Sequence, residues 1–329
     1  MIPKQWYVVL DSTQVGRNPV GVKRMGEKLV FWRDEAGILG CLQDRCVHRG
    51  AELSAGDVVD GHLQCPFHGF EYEPSGRVRV IPANGRQSPV PERFRVRAYP
   101  THEREGLIWI WWGKDPPEGL DPPAFFDDLG GQFSYGSICD PWDAHYSRVI
   151  ENQLDVVHLP FVHESTIGRG GRTLVDGPLV EWVDRNRFYV YVFNRVDDGT
   201  PPRKRHELTK PEDGFHLEFI FPNLWQNHVS DGTRVVAAFV PVDEAHTLLY
   251  LRLYQSIVRI PLVRDIFNRL AMPFNRVIAH QDRRVVQTQR PRSSGLTIGE
   301  KLIEGDGPII EYRKRRRELK QQTGASTAQ

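Results

Sequence analysis

Two short segments hold the residues with the clearest chemistry: Cys46-Val47-His48 and Cys65-Pro66-Phe67-His68. Each brings one thiol and one imidazole from adjoining residues, so each reads as a tight loop closing on a metal. Two thiolates and two imidazoles in mixed halves suit a 2Fe-2S cluster with sulfur on one iron and nitrogen on the other. That ligation raises the potential above that of an all-cysteine cluster. Tetrahedral zinc is the competing reading, since it also accepts a two-plus-two set. Zinc halves usually repeat one ligand type, and here neither does. Gly50 and Gly69 follow the ligands, where the backbone must turn and approach closely.

A second constellation lies in Glu151-Asn152-Gln153-Leu154-Asp155-Val156-Val157-His158-Leu159-Pro160-Phe161-Val162-His163. Asn152, Asp155 and His158 recur every third residue, which predicts one shared helix face. Pro160 is expected to end that helix just past His158 and let His163 return on the following turn. Two neutral imidazoles and one carboxylate suit iron and leave positions open for other ligands. Asp282 is the best candidate for the carboxylate. It stands four residues after Ile278 and three before Val285, on the inward face of a helical pattern, where an unpaired carboxylate is costly. The alternative is an ordinary half-buried acid paired with Arg283 or Arg284. Asp265, beside Arg264, reads as a solvated acid near a helix start. The remaining histidines read as satisfied polar residues. His145 lies too far along the helix from Asp155 to share an ion, although it could line the approach to a pocket.

The elements that position these residues fall into two groups. Short strands are expected at Trp6–Leu10, Lys28–Trp32, Ile38–Leu42, Leu63–Cys65, Phe94–Tyr99 and Leu107–Trp112, separated by Gly, Pro and Asp turns. Asp115-Pro116-Pro117-Glu118-Gly119-Leu120-Asp121-Pro122-Pro123 reads as a linker. Beyond it come a helical pattern at Trp142–Val157, long strands at Leu179–Trp182, Arg187–Arg195, His216–Phe221, Arg234–Pro241 and Thr247–Ser256, and helix from about Leu262 to Thr288. The expectation is an α+β protein, with an all-β domain over residues 1–115 and an antiparallel sheet with helices over 116–329.

The bulk properties exclude some partners. The 43 Lys and Arg nearly cancel the 42 Asp and Glu of the 329-residue chain, so no global field draws it to nucleic acid or to an anionic membrane. Cys41 and Cys139 are expected to be buried, reduced thiols, a usage that suits the cytosol. No signal peptide is read at Met1–Trp6, and the apolar run Leu107–Trp112 is far too short to span a bilayer. A cytoplasmic protein with no nucleic-acid or membrane partner is expected. The basic segment Glu311–Lys320 reads as a solvated terminal helix in preference to a nucleic-acid site. Docking of an acidic electron-transfer partner there stays open.

With both constellations in view, the chain resembles the terminal oxygenase component of the Rieske non-haem iron oxygenases. The residues that carry the resemblance are Cys46-Val47-His48-Arg49-Gly50, Cys65-Pro66-Phe67-His68-Gly69, the Asn152/Asp155/His158/His163 stretch and Gln281-Asp282. It is more similar to the short single-subunit class of vanillate and dicamba O-demethylases and saxitoxin-type hydroxylases than to the large ring-dihydroxylating subunits. Phe70 stands where that family usually has tryptophan, and Val47 where proline is common.

The resemblance implies a Rieske domain followed by a helix-grip, START-like catalytic domain. It implies a 2Fe-2S cluster on Cys46, His48, Cys65 and His68, and mononuclear Fe(II) on His158, His163 and Asp282. Asn152 and Asp155 would be the catalytic residues beside the iron. A head-to-tail homotrimer is implied, in which Asp155 joins His68 of one subunit to His158 of the next. Electrons would come from an external NAD(P)H-dependent reductase or ferredoxin, since the chain has no Gly-x-Gly-x-x-Gly nucleotide site. The expected reaction uses O2 to hydroxylate or O- or N-demethylate a small aromatic or polycyclic substrate. The alternatives are aromatic cis-dihydroxylation and, in a different class, a Rieske electron carrier with an appended binding domain. The pocket is expected to draw on Phe215–Val229 and Phe161–Arg172, with Phe219, Trp225 and Asn227 on its wall.

Overall fold

Short apolar runs broken by Gly and Pro fold, in the N-terminal part, into small antiparallel sheets. The computed structural model describes residues 1–114, 116, 119–212 and 214–324. Asp115, Pro117 and Glu118 of the expected linker therefore lie outside the described residues. The chain forms two compact units. One comprises Pro3–Phe125 with Met1 and Pro241–Asp243; the other comprises Phe126–Val240 and Glu244–Gln329 with Ile2.

The first unit contains β1 (Trp6–Asp11), β2 (Val20–Arg24), β3 (Glu27–Arg33), β4 (Leu39–Gln43), β5 (Asp57–Val59), β6 (His62–Gln64), β7 (Glu71–Tyr72), β8 (Val78–Val80), β9 (Thr101–Arg104) and β10 (Leu107–Trp111). They form three sheets, in the orders β1-β10-β9, β2-β3-β4 and β5-β6-β7-β8. One core cluster, with Trp32, Leu42, Leu63, Phe70 and Tyr72, includes the thiols of Cys46 and Cys65. Phe94–Tyr99 is not the regular strand its alternation predicts. Its backbone makes only the isolated bridges Arg77↔Arg95 and Leu42↔Ala98, to two different segments, so no ladder forms.

In the second unit a seven-stranded antiparallel sheet has the order β11-β17-β16-β15-β14-β13-β12. The strands are β11 (Ser134–Trp142), β12 (Leu174–Trp182), β13 (Arg187–Arg195), β14 (Leu217–Ile220), β15 (Leu224–Ser230), β16 (Thr233–Pro241) and β17 (Thr247–Gln255). The helices are α1 (Tyr146–Leu154), α2 (Leu159–Val162), α3 (Pro261–Val286) and α4 (Gly307–Gln322). α3 packs on β11 and β17, and α1 packs between α3 and α4. The α+β expectation is borne out. Among the described residues, no helix is long and apolar enough to cross a membrane.

Two further expectations fail here. Cys139 is exposed, because it sits on edge strand β11 with its side chain on the open face of the alternation. The basic helix α4 is not a solvated terminal helix. Arg313 and Arg316 are 3% and 5% exposed, drawn inward by buried acceptors. Arg313 donates to both oxygens of Glu151 at 2.7 and 2.8 Å and to Glu300 at 2.7 Å. Arg316 donates to the Tyr146 hydroxyl at 3.1 Å and the Ser294 carbonyl at 2.9 Å.

Candidate active site

The two cysteine–histidine loops have the same backbone construction. The Gly50 amide donates to the Cys46 carbonyl at 2.9 Å and the Gly69 amide to the Cys65 carbonyl at 3.0 Å, while the Cys46 and Cys65 amides donate to Ala51 and Phe70. Gly50 and Gly69 have φ of 75° and 68°, the left-handed region in which a side chain is strained. The two thiols lie in mutual contact, and burial pushes Cys65 above its ordinary value. The Tyr72 hydroxyl donates to Cys46 Sγ at 3.1 Å and accepts from the Val47 amide. The imidazoles of His48 and His68 meet edge to face with centroids 4.6 Å apart. His48 stacks on Phe70 at 4.9 Å. Buried sulfurs on one side and exposed imidazoles on the other match what a Rieske cluster requires.

The second constellation is assembled differently from the expected single helix. α1 stops at Leu154, and Asp155 is its C-cap in an extended conformation. Its carboxylate accepts the Val157 amide at 2.7 Å and the His158 amide at 3.2 Å, a local turn that competes with the helix. Pro160 opens α2 instead of closing α1; His158 is the N-cap of that short helix and His163 its C-cap. Asn152, Asp155 and His158 thus do not share a helix face. Asn152 stays in α1 with a buried Nδ2 that finds no hydrogen-bond partner.

The turn brings three donors together. His158, His163 and Asp282 each offer an atom within 4.8 Å of the others. Asp282 Oδ1 lies 2.9 Å from His163 Nε2 and 3.4 Å from His158 Nε2. Asp282 is 3% exposed, and its expected alternative partner Arg283 reaches Asp140 instead. Both imidazoles are held from behind. His158 Nδ1 donates to the Asp155 carbonyl at 3.0 Å. His163 Nδ1 donates to Gln281 Oε1 at 2.8 Å, which also accepts the Thr166 hydroxyl. Both Nε2 atoms are thereby turned towards Asp282, the arrangement that orients imidazole ligands in metal sites.

The electrostatics agree. Burial alone would keep His158 neutral, but the hydrogen bonds and charges of Asp155 and Asp282 outweigh it and push its pKa up to about 9. Burial likewise opposes ionisation of Asp282, yet His158 and His163 hold its carboxyl at about 2. Asp282 Oδ1 is buried without a well-formed hydrogen bond. The cluster asks for a cation, and two imidazoles with one carboxylate fit iron.

His158 and Asp282 edge a cavity of about 530 Å³ between the sheet and α3. Trp225, Asn227 and Val229 face it from alternate positions of β15, as do Leu249, Leu251 and Leu253 of β17. Phe274, Asn275 and Ile278 close it from α3, and Ile167 is its contribution from the expected segment 161–172. Phe219 is not on this wall. It belongs to an aromatic cluster with Phe188, Phe221 and Tyr312 of α4. Sequence reasoning gave Gln281 no role; its place one residue before an inward-facing acid was the available signal.

Residues 5–100 match the Rieske [2Fe-2S] domain, and residues 142–322, more than half of the chain, match the vanillate O-demethylase oxygenase C-terminal domain. The chain belongs to the Rieske non-haem iron terminal oxygenases. It is 28% identical over 331 residues to the methylxanthine N1-demethylase NdmA of Pseudomonas putida, covering 96% of this chain and 88% of that protein. It is 34% identical over 169 residues to the oxygenase component of dicamba O-demethylase from Stenotrophomonas maltophilia, covering 49% and 47%. It is 36% identical over 167 residues to chlorophyllide a oxygenase of Chlamydomonas reinhardtii, covering 50% and 25%. The match therefore spans about half of one of these relatives and a quarter of another. The solved structure of NdmA superposes with a TM-score of 0.77 at 24% identity, covering 98% of this chain and 91% of that one. The Rieske terminal oxygenases work with a 2Fe-2S cluster and a mononuclear iron.

Proposed function

We propose that this chain is an oxygenase component that hydroxylates, or O- or N-demethylates, a small organic substrate. An external NAD(P)H-dependent reductase or ferredoxin would supply its electrons. The observation that carries this reading is the convergence of His158 Nε2, His163 Nε2 and Asp282 Oδ1 at the edge of an apolar cavity. Similarity over nearly its whole length to an N-demethylase supports the reaction class.

His158, His163 and Asp282 would hold a mononuclear iron that would supply O2 activation, and Cys46, His48, Cys65 and His68 would hold a 2Fe-2S cluster that would supply one-electron chemistry. The rest is the work of the chain itself. The Asp155 carbonyl and Gln281 hold each Nδ1 proton in place, so both imidazoles present Nε2 to the site. Leu249, Leu251, Leu253 and Ile278 exclude water from the reacting carbon. Asn227 and Thr233 offer the substrate hydrogen bonds on a mostly apolar wall. Asp155 accepts the Val157 and His158 amides through one carboxylate oxygen and stays part-exposed. That exposure supports a role as the bridge from His68 of a neighbouring subunit in a homotrimer, in a cytoplasmic protein of aromatic metabolism.

Iron analysis tests the reading against a simple carrier. The oxygenase holds about three irons per chain and the carrier about two. With a surrogate reductase and NADH, a methyl-ether or N-methyl substrate is expected to stimulate oxygen uptake and yield product. Full metal loading with no product from any such substrate overturns the proposal.

A further inference from the structure

α3 buries a mixed polar and apolar face and leaves large apolar residues on the other. Its buried positions are Asn268, Met272, Asn275, Ala279, Asp282 and Val286. The opposite face, in the N-terminal half of the helix, carries Leu262, Val263, Ile266, Phe267, Leu270 and Phe274 in the open. Leu262 is 74% exposed and Leu270 73%, and Ile257 and Ile260 just ahead of the helix are 68% and 67%. Lone exposed apolar residues need no explanation, but a continuous stripe of large ones marks a surface that is covered in use.

We infer that this stripe, from Ile257 to Phe274, docks on the surface of an anionic lipid bilayer, with α3 lying in the plane of the interface. The local charge supports a lipid cover. Between Ser256 and Val277 there are four arginines, Arg259, Arg264, Arg269 and Arg276, against the single Asp265, which Arg264 neutralises at 3.0 Å. On a helical projection Arg269 and Arg276 flank the stripe, where an interfacial helix meets headgroups. The near-neutral charge of the whole chain conceals this patch. Large apolar residues with arginine at the border are the composition that sinks into the headgroup boundary without spanning.

The cavity argues for lipid over a second protein. Phe274 is 55% exposed on the stripe and also lines the cavity. A protein cover seated there would obstruct that side of the cavity, whereas a lipid surface would deliver an apolar molecule to it. This delivery route rests on the proposed oxygenase reading; the docking itself does not.

The test is co-sedimentation of the metal-loaded full chain with vesicles of phosphatidylcholine alone and of phosphatidylcholine with phosphatidylglycerol. Binding to the anionic vesicles, weakened by salt, is expected. The variant Leu262→Asp/Ile266→Asp/Leu270→Asp touches no residue lining the cavity beside His158 and Asp282 and should keep the cluster spectrum and iron content while its vesicle partition falls by at least about tenfold. Arg269→Glu/Arg276→Glu should remove the preference for phosphatidylglycerol. A wild-type protein that stays in the supernatant with both vesicles overturns the proposal. So does a triple variant that binds vesicles as the wild type does but loses self-association in sedimentation velocity, which would make the stripe an interface between copies.

Discussion

Among its described residues the second unit holds two clusters of two histidines and a carboxylate, and one of the two is arranged to receive a metal. His158, His163 and Asp282 come from a turn and a helix; His216, Glu218 and His228 lie on or beside adjacent strands β14 and β15. In the first cluster each Nδ1 is tied to an oxygen behind it and each Nε2 points inward. In the second, His228 Nε2 already accepts the Gln226 amide at 2.8 Å, and the two imidazoles lie against each other, tilted by 32°, with centroids 4.1 Å apart.

Charge separates the clusters further. Asp282 meets two imidazoles and the Gln153 side-chain amide, whereas the Arg187 guanidinium stands 3.2 Å from Glu218 and Arg234 binds the neighbouring Asp128. Burial, with only partial relief from Arg187, pushes Glu218 up to about 7. Burial and His216 hold His228 down to about 4. Identical donor types thus make a charged pair in one place and a neutral strut in the other. Orientation and counter-charge, more than residue type, decide which is a metal centre.

Substitutions can break or sharpen this contrast. The largest effect is expected from Asp282→Ala, which should take iron from about three to about two per chain and abolish turnover, whereas His228→Ala should leave the iron count unchanged. Equal iron loss in both variants would erase the distinction.

Asp155→Asn keeps an oxygen for the Val157 and His158 amides but loses the charge. It should retain both metals while turnover falls about 100-fold; activity near the wild-type level would remove Asp155 from the electron route. Gln281→Leu frees His163 Nδ1 and should weaken iron retention about tenfold in a chelator competition.

Glu218→Gln should leave activity alone and change stability with pH. A carboxyl whose folded pKa is raised loses its stabilising contribution as pH climbs from its unfolded value near 4.5 through 7. The variant should therefore gain on the wild type across that window, by about 3 kcal/mol at most. Denaturant unfolding at several pH values reads this directly, and a flat difference would refute it.

Much of this was legible in residue order. The cluster loops are local: both halves fit within a few residues, and the glycines mark their turns. Asp282 was legible because an acid on an apolar helical face has little other reason to be there. The break after Leu154 was not, since a three-residue spacing looks helical until the Asp155 side chain caps its own following amides. Nor was the burial of Arg313 and Arg316, because a run of basic residues gives no hint of the buried Glu151 that receives one of them. Phe219 and Trp225 face each other across β14 and β15. What covers each ring depends on α4 and α3, whose docking no local pattern specifies.

The bonds of the two centres differ in how far they reach along the chain, and this sets a timetable for folding. Tyr72 meets Cys46 across 26 residues. His163 meets Gln281 across 118, Gln153 meets Asp282 across 129, and Arg313 meets Glu151 across 162. Closing long loops is slow because their entropy is lost before contacts reward it. The cysteine–histidine loops are thus expected to be ready for their cluster while the iron side is still open. In refolding followed by cluster absorbance and by iron uptake, absorbance should recover first; the reverse order would contradict it. Maturation of this protein then has a direction, with the electron donor finished before the centre it feeds.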